Sequence, residues 1–191
     1  MEKSQICENI RKVKSKIEKT CWKIGRETSE VTLVAVSKTK PASYIREALE
    51  CGQIEFGENR MQELEEKIPQ FEPAQVSWHM IGNIQTNKIK LIADKISWVH
   101  SIEKLKYLKE FEKRSNGNKI KALIQVNISG EKQKGGVMLL MWEFKWLIRR
   151  LKFNFEKWTE GKILNTKKKS TTNPPLIIKL DFKLFRLSSN S

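Results

Sequence analysis

The sequence predicts an α/β protein: a partial (β/α)8 barrel of about five βα units, followed by an irregular basic tail. Three observations predict it. Short β-branched runs with hardly a charge alternate with helical stretches, their starts recur at a nearly constant interval, and polar residues gather just after the runs.

The first element is a leading helix over residues 4–25. Ile6, Ile10, Val13, Ile17, Cys21 and Ile24 stand 4, 3, 4, 4 and 3 apart, which makes one apolar stripe. Gly25 ends it. VTLVAVS, residues 31–37, reads as a strand buried on both faces. Further strands are expected at 53–56, 77–81, 96–100 and 120–128, with helices over 42–51, 61–68, 86–93 and 102–114 between them. The strand starts lie 22, 24, 19 and 24 residues apart, each interval enclosing one helix. Such repeats form a doubly wound sheet or a barrel, since parallel crossovers are right-handed. The barrel is favoured because Lys38, Glu58, Asn59, Asn83, Ser101, Asn127 and Ser129 all fall at strand ends, the face on which barrel sites are built. The count falls short: a full barrel takes about 250 residues.

Composition separates the chain into residues 1–136 and 137–191. Of its 191 residues 37 are Lys or Arg and 22 Asp or Glu, a net charge of +15. The residues after Val137 carry 12 basic and 4 acidic side chains and three of the six tryptophans, with the single glycine Gly161. More than half the net charge therefore lies in the tail, whose text lacks strand and helix alternation. No apolar run approaches the roughly 20 residues of a membrane span, and the N-terminus is charged from Glu2 on, without a secretory pattern. The expected location is cytoplasmic, with no membrane partner. Cys7, Cys21 and Cys51 fit neither a disulfide framework nor a zinc site, and Cys21 and Cys51 read as small buried hydrophobes.

Lys38 directly follows the uncharged first strand. An ammonium at the mouth of an apolar wall is desolvated toward the neutral amine that attacks a carbonyl, although a lysine at a strand end also reaches solvent by snorkelling. Lys40 is its neighbour, and Pro41 opens the next helix. In FGENRMQE, residues 56–63, Gly57 permits close backbone approach, and Asn59 offers a donor and an acceptor to a ligand or a cap to the following helix. WHMIGNIQTNK, residues 78–88, repeats the form with Gly82, and His79 reads as a hydrogen-bonded core histidine.

VAVSKTKP, FGENRMQE, WHMIGNIQTNK, VHSIEKL and IQVNISGEKQKGG occur in this order. Together they resemble the pyridoxal phosphate homeostasis protein family, whose fold is similar to the N-terminal barrel of alanine racemase. The resemblance covers about residues 1–136. It implies that Lys38 holds pyridoxal 5′-phosphate covalently as a Schiff base, with Asn59 beside the cofactor and Gly82 and Asn127 lining the strand-end face. It also implies a binder and regulator of the vitamin B6 pool without established turnover, with PLP-dependent apoenzymes as acceptors. Tyr44 and Tyr107 fall on expected helices and are not assigned as an acid or base.

The family continues with βα units whose late loops hold the cofactor phosphate, and that pattern is not found after Gly136. The tail is expected to be a non-native continuation, such as a shifted reading frame. The first strand is then expected to lack its closing neighbour, with both sheet edges exposed, one of them covered at most by residues 139–155, and with weak cofactor retention. Other readings stand beside this one: nucleic-acid binding through the basic, aromatic tail, which no recognised motif supports; a racemase-like enzyme, against which the missing second domain argues; and a product that does not fold.

Overall fold

The computed structural model describes residues 5–127, 131, 135–138 and 176–181. Helix α1 (Gln5–Ile24) carries the predicted stripe and buries Ile10 and Cys21. It ends as the sequence indicates: Gly25 takes φ 64°, Arg26 N–H donates to the Cys21 carbonyl at 2.9 Å, and Gly25 N–H to that of Trp22 at 3.3 Å. This pair of bonds is a Schellman cap. Strand β1 (Val31–Val36), α2 (Ala42–Glu50), β2 (Glu55–Glu58), α3 (Met61–Lys67), β3 (Ser77–Met80), β4 (Trp98–Ile102), α4 (Leu105–Arg114) and β5 (Lys121–Ile124) follow. Short strands β6 (Val126–Asn127), β7 (Val137–Met138) and β8 (Leu176–Asp181) complete the described elements.

The main sheet is parallel and curled, a half-barrel with the order β5-β4-β3-β2-β1-β8, so β1 to β5 lie side by side in sequence order as repeated βα units require. Ala35, Phe56, Trp78, Met80 and Val99 face one side, where they form a single core with Ile45 and Ala48 of α2, Leu64 of α3, and Tyr107 and Phe111 of α4. By alternation Val34, Val36, Gly57, His79 and Trp98 face the other, concave side.

Four elements depart from expectation. The strand expected over 120–128 is broken: only Lys121–Ile124 joins the main sheet, while Val126–Asn127 pairs with Val137–Met138 in a sheet of its own. The second strand lies at 55–58 instead of 53–56. Gln53 is buried, its amide donating to the Leu33 and Glu55 carbonyls at 2.8 and 2.7 Å, and Ile54 points into solvent. The segment expected as a helix over 86–93 is a 3-10 helix at Thr86–Leu91. Ile102 ends β4, so α4 begins only at Leu105.

Two expectations about the edges and the cysteines are corrected. The first strand does have a second neighbour: β8, from the tail, pairs parallel to it in unbroken register from Val31↔Leu176 to Val36↔Asp181. Backbone pairing with β1 needs only an extended β-branched stretch, and LIIKLD supplies one, which the search for whole βα units passed over. β8 thus occupies the side of β1 that a closing barrel strand takes. The expected cover by residues 139–155 lies outside the described residues. Cys51 is not a buried hydrophobe: it is joined to Cys7 in a disulfide with Cα atoms 5.5 Å apart. Packing of α1 against the end of α2 brings together two residues 44 apart, a proximity that spacing alone does not reveal. Cys21 is buried, as expected.

Candidate functional site

Lys38 leaves the end of β1 in a four-residue turn. Ser37 N–H still donates to the Gly57 carbonyl at 3.0 Å as part of the sheet, and Lys40 N–H closes the turn onto the Ser37 carbonyl at 3.0 Å. Thr39, third in the turn, has φ 61°. A turn whose third residue adopts positive φ is of the type II kind, and a β-branched residue there is strained. Lys38 is half-buried, just beyond the strand whose Val34 and Val36 face the concave side. Below it, β1 and β2 are in close contact: a Cβ added at Gly57 would stand 3.0 Å from Ile81 Cδ1 and 3.2 Å from Val34 Cγ1.

The turn is bound from behind by α3. Glu63 accepts Thr39 N–H at 2.7 Å, and Lys67 Nζ donates to the Ser37 carbonyl at 2.9 Å. The same Nζ reaches Glu58 Oε1 at 2.7 Å and Glu63 Oε2 at 3.2 Å, while Ser37 Oγ donates to Glu58 Oε1 at 2.6 Å. Ser37, Glu58 and Lys67 are all buried. Burial pushes the Glu58 carboxyl above its ordinary value, with the hydrogen bonds from Lys67 and Ser37 opposing. For Glu63 burial also pushes upward, but the Thr39 N–H and Lys67 outweigh it and hold the carboxyl below its ordinary value. Glu58 Oε2 is buried without a hydrogen-bond partner among the described residues.

Asn59 and Gly82 come together at the ends of β2 and β3. A Cβ at Gly82 would fall on the carbonyl and side-chain oxygens of Asn59, and Ser101 Oγ donates to the Gly82 carbonyl. Glycine at 82 is therefore required by the seat of Asn59. Asn59 does not cap α3; Arg60 holds the cap position without a side-chain bond. Asn127 lies on the separate β6–β7 pair, where its amide donates to the Glu131 carbonyl at 2.9 Å. A cavity of about 630 Å³ opens beside Asn59, lined by Arg60, Glu63, Asn83 and Lys88 among others.

Deeper on the concave side lies a polar and aromatic cluster. His79, fully buried, has Nε2 on Glu55 Oε2 and Nδ1 2.9 Å from His100 Nε2, and its ring stacks on Trp98 at 5.7 Å. This is the hydrogen-bonded core histidine the sequence indicates. Burial raises the Glu55 carboxyl, yet hydrogen bonds from His79 and Ser77 outweigh it and leave the group below its ordinary value. Among the described residues no group of His, Cys, Asp and Glu is arranged to hold a metal ion, and no helix is long and apolar enough to cross a membrane.

Comparison with known proteins gives this strand-end arrangement a context. No family model matches the chain. A pyridoxal phosphate homeostasis protein of Escherichia coli strain K12 is 40% identical over 141 residues, covering 71% of this chain and 60% of that protein. Its namesake in Pseudomonas aeruginosa is 43% identical over 135 residues, covering 70% and 59%. The chain is homologous to the pyridoxal phosphate homeostasis proteins over that stretch. Among solved structures, PipY of Synechococcus elongatus with PLP bound superposes with a TM-score of 0.63 at 27% identity, over 77% of this chain and 64% of that one. The chain thus spans about 60% of the length of the pyridoxal phosphate homeostasis proteins it matches.

Sequence reasoning singled out Lys38, Asn59, Gly82 and Asn127 but passed over Ser37, Glu63 and Lys67. The available signal was the four-residue spacing of Glu63 and Lys67 on a short helix, which reads equally well as an exposed ion pair.

Proposed function

We propose that the chain is a binder of pyridoxal 5′-phosphate that takes the cofactor covalently on Lys38 and serves the vitamin B6 pool without turning over a substrate. The observation that carries this reading is the position of Lys38: a half-buried lysine in a hydrogen-bonded turn at the C-terminal end of the first strand of a half-barrel. Lys38 would hold the cofactor through its amine, to which the cofactor would supply an aldehyde, with water as the leaving group. The residues present fit that half of the molecule. Lys38 follows the strand that packs tightly on Gly57 of β2, and Asn59 stands exposed at the next strand end, held by Gly82.

The two tyrosines among the described residues lie away from Lys38's side of the sheet. Tyr107 is buried in the core on the helix side, and Tyr44 lies on α2 with the Lys40 ammonium 5.6 Å from its ring. Retention of the cofactor is proposed to be weak, because the resemblance places the phosphate donors in units beyond the matched stretch. PLP-dependent apoenzymes in the cytoplasm are the proposed acceptors.

The test is an absorbance spectrum with excess cofactor, then borohydride trapping and peptide mapping, before and after desalting. Lys38 is expected to carry most of the trapped label before desalting and little after it, and Lys38→Ala to abolish the absorbance band. Label spread evenly over the surface lysines would overturn the assignment, and one equivalent retained through desalting would overturn the weak retention.

A further inference from the structure

The network behind Lys38 is costly as a stabilising device. A buried lysine–glutamate pair does little better than apolar side chains of the same size, because desolvation offsets most of the attraction. Here burial raises Glu58, and Glu58 Oε2 has no hydrogen-bond partner among the described residues. What the network accomplishes is geometric. Its hydrogen bonds land on the peptide groups on either side of Lys38: Lys67 Nζ on the Ser37 carbonyl and Glu63 on the Thr39 N–H. Ser37 is held a second time through its hydroxyl on Glu58. Thr39 sits at φ 61°, a conformation that an unrestrained threonine leaves readily. Glu63 and Lys67 lie one turn apart on α3, which Met61 and Leu64 anchor in the core, so both restraints have one rigid origin.

We propose that Lys67 and Glu63 are positioning residues for Lys38, clamping the turn on both sides of it so that its amine stays on the concave side of the sheet. The proposal rests on the reading of Lys38 as the covalent attachment point. Without the clamp the Ser37–Lys40 turn relaxes, and the population of chains presenting the amine to an aldehyde falls. The helix carrying the clamp starts just after Asn59, which ties the seat of the lysine to the neighbouring strand end.

The test uses the full chain and two probes, pyridoxal 5′-phosphate and pyridoxal. Pyridoxal lacks the phosphate and so separates amine presentation from phosphate binding. Borohydride trapping and peptide mapping give the labelling of Lys38 relative to Lys113, an exposed lysine on α4. The variants are Glu63→Ala, Glu63→Ala with Thr39→Gly, and Lys67→Met with Glu58→Met, the last removing the buried pair together so that no lone charge is left inside. Glu63→Ala and the paired Met variant are expected to lower the Lys38 to Lys113 ratio about tenfold with both probes, the scale of losing a hydrogen bond to a charged group.

Thr39→Gly in the Glu63→Ala background is expected to recover much of the ratio, because glycine holds positive φ without help. If the paired variant does not fold, the Glu63 and Thr39 variants carry the test, since Glu63 is only partly buried. Variants that melt earlier but keep the wild-type ratio would overturn the clamp. A wild-type chain with no preference for Lys38 over Lys113 would instead overturn the reading of Lys38, and the proposal with it.

Discussion

Strands β1 and β5 belong to one parallel sheet and stand at opposite extremes of burial. In β1 Leu33, Val34, Ala35 and Val36 are all buried, whereas Lys121, Ala122 and Leu123 of β5 are exposed. β1 has a strand on each side and helices on its outer face; β5 is the last strand of the main sheet, paired only with β4 there. A parallel strand gains its burial from its neighbours and not from its own composition. The difference teaches where a site can be built. At the end of β1 the Ser37 N–H and carbonyl and the Thr39 N–H beside Lys38 each have a defined partner, two of them side chains of α3, which restrains the turn. At the end of β5 the frame is made of backbone alone, Gln125 N–H donating to the Ile102 carbonyl at 2.9 Å and its own carbonyl accepting Val137 N–H at 2.8 Å.

The comparison is broken most severely from the core side. Phe56→Ala removes a fully buried ring beneath the β1–β2 end and is expected to cost about 3–5 kcal/mol in denaturant unfolding. A loss below about 1 kcal/mol would show that this end is as loosely built as the β5 edge.

Gly82→Ala comes next. The added Cβ falls on Asn59, and the expected cost is about 1–3 kcal/mol. The amide resonances of Asn59 and Ser101 should shift with it, and an unshifted spectrum would contradict the close packing.

A smaller effect concerns pH. Glu63 is held below its ordinary value of 4.5 in the folded chain, so its contribution to stability is present above that pH and lost as pH falls through the folded value. Glu58 is raised and acts in the opposite sense, stability falling as pH rises from 4.5 through its folded value. The stability difference between wild type and Glu63→Gln is therefore expected to shrink on acidification below 4.5. A difference that grows instead would reverse the assignment. The smallest effect is expected at the edge: Leu123→Lys, at an already exposed position, should change stability by no more than about 0.5 kcal/mol in the same unfolding assay.

Much of the frame was legible in the text of the chain. The α1 stripe with its Gly25 terminator, the five strands in order and the position of Lys38 after an uncharged run all follow from periodicities that neighbouring residues impose on one another. Strand β2 moved by two residues because a buried Gln53 satisfies the Leu33 carbonyl, a long-range hydrogen bond that hydrophobic counting does not register. His79 was read as a core histidine, but not its partners Glu55 and His100, which stand 24 and 21 residues away.

By itself, then, the sequence determined most of the strands and helices before Gly136 and which residue types stand at the strand ends, because those are consequences of local pattern. Tertiary structure alone decided that the tail strand Leu176–Asp181 pairs with β1, that Cys7 meets Cys51, and that Lys67 reaches back across α3 to the carbonyl of Ser37. Each of these joins groups at least 30 residues apart. The contacts depend on how packed elements converge, and no spacing in the chain encodes them.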